Sequence, residues 1–197
     1  MLAKQSGDPR NRPRIRRGFR CEVSEMGRAK AVVRAATLIA LALVLSYTER
    51  LIPLQLVIPL PGIKLGLANV VTLVSLYLLG TKQTVPILLI RCLLGSFFGN
   101  FMGLLFSLCG GFLAIVTMAL CKKAKIFSIY GVSILGAAAH NIGQIIAAVT
   151  IMGSLYVCAY LPYLLIIGTF TGIAIGAAGA SVLRVFKPVN LSRQTNR

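Results

Sequence analysis

Past residue 25 the chain carries one carboxylate, Glu49, and one histidine, His140. The other residues there whose types could do chemistry inside apolar stretches are Arg50, Lys64 and Arg91, with the amides Asn69, Asn141 and Gln144. Ionisable side chains within or beside membrane-type helices are costly and by default point to function. Three cations around one carboxylate suit an anionic or polar-headed small ligand, although charge alone does not name it. The same inventory excludes other chemistry. Paired-carboxylate hydrolysis and magnesium-dependent phosphoryl or prenyl transfer need two or more acids converging on one site. No P-loop is present, so the chain does not hydrolyse ATP itself. Cys21, Cys92, Cys109, Cys121 and Cys158 are scattered, with no CxxC or Cys/His cluster, so neither a disulfide framework nor a metal site is expected. They read as small apolar packing residues. No catalytic residue and no cofactor is assigned.

These groups have to be positioned by elements that the composition already defines. The 197 residues are 57% hydrophobic and only 13% charged, with a mean hydropathy of +0.84. A soluble domain of this size carries roughly twice that charged fraction. Lys and Arg number 21 against four acids, a formal charge of +17. A nucleic-acid binder can be this basic, but here the basic residues punctuate long apolar runs. The expected fold is therefore an all-α integral membrane protein resting in a lipid bilayer. Six spans are predicted, at roughly 31–50, 65–80, 83–99, 102–121, 128–152 and 159–183. The Gly/Asn patch "FFGNFMG" is read as a tight turn between the third and fourth.

Positive charge sets the orientation. Arg28, Lys30 and Arg34 precede span 1, Lys82 lies between spans 2 and 3, and Lys122, Lys123 and Lys125 lie between spans 4 and 5. The C-terminal tail is basic as well, which places both termini in the cytoplasm. The first outer connection, holding Glu49, Arg50 and Lys64, is the exception. At about 1.5 Å per residue, Asn69 lies about 7 Å inward from Lys64, and Arg91 about 14 Å from the inner anchor Lys82. His140 and Gln144, at i and i+4, share one face of span 5. Four spans thus aim polar groups at the outer half of the bilayer, as a pocket open to the outside requires. His140 with Asn141 has a second reading, as groups that simply hydrogen-bond between helices.

The segment "LIPLQLVIPLPGIK" holds Pro53, Pro59 and Pro61 and is read either as a stiff lid over that pocket or as a plain connector. Gly168, Gly172 and Gly176 on span 6, and Ala139, Gly143 and Ala147 on span 5, mark smooth faces for close internal packing. Ala31, Ala35, Ala36 and Ala40 on span 1 mark faces for packing or for docking another membrane protein. The organisation is a basic, disordered tail over 1–30, a membrane domain over 31–185 and a basic tail over 186–197. Met26 opens "MGRAKAVVRAATLIALALVLSY", a natural membrane-protein start. What precedes it is either such a tail or an over-extended translation.

"LSYTERLIPL", "PGIKLGLANVVTLVSLYLLG", "LLIRCLLGSFFGNF", "FSLCGGFLAIVTMAL", "GVSILGAAAHNIGQIIAA" and "YLPYLLIIGTFTGIAIG" together resemble the Gx transporter family, which is often labelled heptaprenyl diphosphate synthase component I. The resemblance covers about residues 31–185. It implies a likeness to the substrate-binding S components of energy-coupling factor transporters in the bacterial cytoplasmic (inner) membrane. On that likeness Glu49, Lys64, Asn69, Arg91, His140, Asn141 and Gln144 would line or support a ligand pocket. Ala36 and Ala40, or Ala31 and Ala35, would dock a T-type membrane component with ATPases. The synthase label implies a different role, a non-catalytic membrane accessory that recruits or feeds a soluble polyprenyl synthase subunit. The aspartate-rich motifs of prenyl transfer are absent, since Asp8 is the sole aspartate. Binding component and synthase accessory are the two functions carried forward; catalysis by His140 and Glu49 is remote. No nucleic-acid partner is expected.

Overall fold

A computed structural model describes the backbone of residues 12–51, 64, 66–97 and 101–194, and the side chains of 29–49, 51, 64, 66–97 and 101–185. Among these residues there is no β-strand. Six helices follow one another: α1 (Arg12–Arg50), α2 (Asn69–Leu78), α3 (Thr81–Phe97), α4 (Phe101–Ala124), α5 (Ile129–Met152) and α6 (Leu161–Gln194). A 3-10 helix, Leu155–Tyr160, leads into α6. The chain divides into two units, residues 1–37 and 38–197.

In the first unit the described residues form the N-terminal part of α1. Helix starts at Arg12, well before the irregular 1–30 tail was expected to end. Pro13 sits in the first turn, where a missing amide proton breaks no helical bond. The Arg, Glu and Ala residues that follow are good helix formers.

The second unit is a helical bundle with α5 at its centre, flanked by α4 and α6, while α2 reaches α3, α4, α5 and α6. Four helical stretches are long and apolar enough to cross a membrane: Ala29–Glu49, Phe101–Ala124, Ile129–Met152 and Leu155–Val185. Two of the expected spans are shorter. Helix α3 has 17 residues, and α2 has only ten. At the helical rise per residue these are roughly 25 Å and roughly 15 Å long. The span expected over 65–80 is thus corrected to Asn69–Leu78. Its first residues form a turn instead, with Gly66 at φ +82° and the Asn69 amide donating to Gly66 O at 2.8 Å. Positive φ is open to glycine at little cost, and it diverts the chain before a helix can start.

The smooth faces do what their spacing implies. A Cβ at Gly143 would lie 2.7 Å from the Cys109 carbonyl oxygen, so α4 and α5 approach backbone to backbone. A Cβ at Gly172 would lie 2.8 Å from Ile134 Cα, and one at Gly176 would lie 3.0 Å from Tyr130 Cδ1, which brings α6 equally close to α5. Where lipid tails are as apolar as the helices, such packing replaces the hydrophobic effect as the force between them. Hydrogen bonds add to it. Ser133 Oγ donates to Gly172 O at 2.7 Å, and Asn141 Nδ2 donates to Leu164 O at 2.6 Å. Helix α5 is bounded by residues suited to its ends. The Ser128 hydroxyl accepts the Gly131 amide at the start, as a serine cap does. Gly153 closes the helix at φ +63°, a conformation that glycine adopts most readily.

Candidate functional site

The C-terminal ends of α1 and α3 and the N-terminal ends of α2 and α4 meet around a cavity that reaches in to the middle of α5. Its walls are Ser46 and Glu49 from α1, and Lys64, Gly66 and Ala68 from the connection into α2. Asn69 comes from α2 itself. Helix α3 supplies Arg91, Cys92, Gly95 and Ser96, α4 supplies Gly103, Leu104 and Ser107, and α5 supplies His140. The empty space, mouth included, is about 490 Å³.

Each polar group is placed by its local structure. Glu49 is buried in the last turn of α1 and accepts the backbone amide of Gly66, so the left-handed glycine and the carboxylate fix each other. Lys64 Nζ donates to Ser107 Oγ at 2.8 Å, and that hydroxyl donates to Gly103 O at 2.7 Å, tying the start of α2's approach to α4. His140 and Gln144 meet at 3.0 Å between His140 Nε2 and Gln144 Nε2. With Gln144 donating, the imidazole proton lies on Nδ1. Gly66 and Gly110 stand against the two edges of that ring; a Cβ at Gly66 would come within 3.1 Å of His140 Cδ2, and one at Gly110 within 2.8 Å of Nδ1.

Other groups are left with atoms that bond nothing in the chain. Arg91 is 7% exposed and its Nε makes no hydrogen bond. Asn69 is 1% exposed and neither of its amide atoms is bonded; Gln144 Oε1 is likewise unpartnered. Burying such groups unbonded is costly, and native proteins seldom do it without a purpose. Among the described residues no three His, Cys, Asp or Glu side chains gather as a metal site would need. The arrangement sets two cations and amide donors around one carboxylate, which accepts the Gly66 amide and interacts electrostatically with both Lys64 and Arg91, leaving one positive charge in excess.

Of the residues singled out in the sequence, Glu49, Lys64, Asn69, Arg91 and His140 come together on this cavity, with Gln144 behind His140. Asn141 does not. It points to α6, where it bonds Leu164 O, because one step along a helix turns a side chain about 100° away from its neighbour. The Arg50 side chain, Pro53, Pro59, Pro61 and residues 98–100 of the Gly/Asn patch lie outside the described residues. Helix α3 ends at Phe97 and α4 begins at Phe101, separate as expected. Ala36 and Ala40 are exposed, Ala31 and Ala35 half-buried. Ser46, Ser96 and Ser107 were missed, since single serines in apolar helices are common. The spacing of Gly103 and Ser107, one turn apart on α4, was the available signal.

Residues 38–182, most of the chain, match the family described as heptaprenyl diphosphate synthase component I. No curated protein and no solved structure matches. The match contains every cavity-lining residue, and the chain belongs to the heptaprenyl diphosphate synthase component I family.

Proposed function

We propose that this chain is a non-catalytic membrane component whose cavity binds a small, anionic or polar-headed molecule, in the service of a polyprenyl diphosphate synthase. One observation carries the binding role: Arg91 and Asn69, both buried and incompletely bonded, face the same cavity as Lys64. The family's description supports the role beside a synthase, as the membrane accessory to a soluble catalytic subunit. In this reading the chain spans a bacterial cytoplasmic membrane six times with both termini inside. Helices α2 and α3 count as spans although they are short. The Lys122–Lys125 turn faces the cytoplasm, where the soluble subunit would dock, and the cavity opens outward.

A second reading keeps the cavity and changes its use. A transporter component resembling the S components of energy-coupling factor systems would capture the ligand from outside and dock a T-type component with ATPases. The exposed Ala36 and Ala40 favour it, being small residues on an accessible helix face.

Gentle affinity purification from native membranes separates the two uses, with mass spectrometry of the retained proteins and small molecules. A soluble polyprenyl synthase should be recovered; a membrane component with ATPases in its place would transfer the assignment to transport. The binding role is tested by Arg91→Ala and His140→Ala, each expected to lose the co-purifying small molecule while inserting normally. Undiminished retention in both would remove the cavity's role.

A further inference from the structure

Most of the cavity's space is open to its surroundings. The enclosed part measures only about 30 Å³. A single water takes about 30 Å³ of liquid volume, so one body of that size fills it. Phosphate, sulfate and organic headgroups are all larger.

The walls around that space are charged. Glu49 brings one negative charge, and Lys64 and Arg91 bring one positive charge each. His140 is neutral, with its proton on Nδ1 and its Nε2 taken up by Gln144. The one carboxylate is shared, since Glu49 interacts with both cations while it accepts the Gly66 amide. Among the described residues that line the cavity, no second acid answers the remaining positive charge.

The unbonded atoms match that excess. Arg91 Nε carries a proton with no acceptor, and the Nδ2 of Asn69 carries two. Both residues line the cavity and both are more than nine-tenths buried. Water fits the same volume and would donate to Asn69 Oδ1 as well. It brings no charge, however, and an unmatched charge among apolar helices costs more than an unbonded amide oxygen. A halide ion is little larger than water and meets both the charge and the donor protons.

We propose that the enclosed part of the cavity holds a monatomic anion of halide size, chloride under ordinary conditions, against Arg91, Lys64 and Asn69. This rests on the reading of the cavity as a binding site and names the size and charge of what its floor takes. The ion is a counter-charge built into the bundle, and a larger ligand is left to the open part.

The full-length protein in detergent micelles is unfolded by heat in sodium chloride, bromide, methanesulfonate and gluconate, at constant total salt. At about a hundred times its dissociation constant, chloride should raise the unfolding temperature by about 5–10 °C over gluconate. The rise should saturate, as occupation of a site does and a general salt effect does not. Bromide should act alike, and its anomalous scattering in a crystal should lie beside Arg91; methanesulfonate, monovalent but larger, should not act. Arg91→Gln should abolish the response, and Asn69→Leu should weaken chloride by about tenfold. If either variant fails to insert, the wild-type salt series and the bromide signal decide alone. An equal rise in methanesulfonate overturns the monatomic size. Identical unfolding in all four salts overturns the halide, and loss of the small molecule on Arg91→Ala would then still uphold the binding role proposed above. A chloride response that persists in Arg91→Gln overturns the placement. A chloride response confined to the wild type, with small-molecule retention undiminished in Arg91→Ala, keeps the halide and removes the larger ligand.

Discussion

The two ends of the bundle bury polar groups in opposite ways. At the lysine-rich end, among the described residues, no buried polar side-chain atom lacks a partner. Ser75 Oγ donates to Thr72 O and meets Thr84 Oγ1 at 3.1 Å, and Thr84 Oγ1 lies 2.9 Å from Gly80 O. Lys122 Nζ donates to Leu76 O at 2.7 Å and lies 4.8 Å from the centre of the Tyr77 ring, closing the C-terminus of α2. At the cavity end, Asn69, Arg91, His140 and Gln144 keep unbonded atoms. Both ends sit among apolar helices and bear a desolvation cost, larger for the Arg91 guanidinium and the Glu49 carboxylate than for the hydroxyls of Ser75 and Thr84. One end recovers it within the chain and is architecture. In the proposed reading the other leaves part of it to a bound ligand, although Asn141 Oδ1, away from the cavity, is unbonded too.

The largest expected effect abolishes the comparison altogether. Gly143→Val drives a branched side chain into the Cys109 carbonyl and separates α4 from α5. A loss of about 3 kcal/mol or more is expected in unfolding by detergent titration, and both ends should fail together. Arg91→Ala should split them. Ligand binding falls by about tenfold to a hundredfold, the range of a hydrogen bond to a charged group. Stability without ligand holds or rises, because a buried, incompletely bonded guanidinium is removed. A large loss of stability would place Arg91 with the architecture.

Smaller effects sharpen the contrast. Lys122→Ala removes the bond to Leu76 O. Uncapping α2 in this way should cost about 1 kcal/mol, with binding unchanged. Asn141→Ala removes the bond to Leu164 O. It should cost about 0.6 kcal/mol, the average for a hydrogen bond between membrane helices, and should not alter retention of the small molecule. A binding defect in that variant would return Asn141 to the cavity.

Much of this was legible in particular residues. The small-residue stripe from Gly168 to Gly176 announces a close helix contact, because four-residue spacing keeps it on one face. The meeting of His140 with Gln144 follows from the same geometry. For Asn141 both a cavity role and a bond between helices were open, and only the neighbours decided for the bond to Leu164 O. The brevity of α2 was hidden too. Residues 65–80 are apolar enough for a span, and a hydropathy pattern does not register that Gly66 turns the backbone the other way. Glu49 was legible as costly, but its bond to the amide of Gly66 joins residues 17 apart in sequence and belongs to the tertiary fold.

The ten residues of α2 have a consequence for how the protein is made. In the proposed topology they rise only about half the thickness of the hydrocarbon layer. A segment that short offers too little apolar length to leave the insertion machinery alone. Its buried face, Val71 to Leu76, has no lipid to prefer. In that topology it runs inward from the outer side and depends on α3, joined through the Gly80 turn, to hold it in the bilayer. An inserted polar linker between the two is expected to let α2 pass to the outer side, and the cavity would lose its floor.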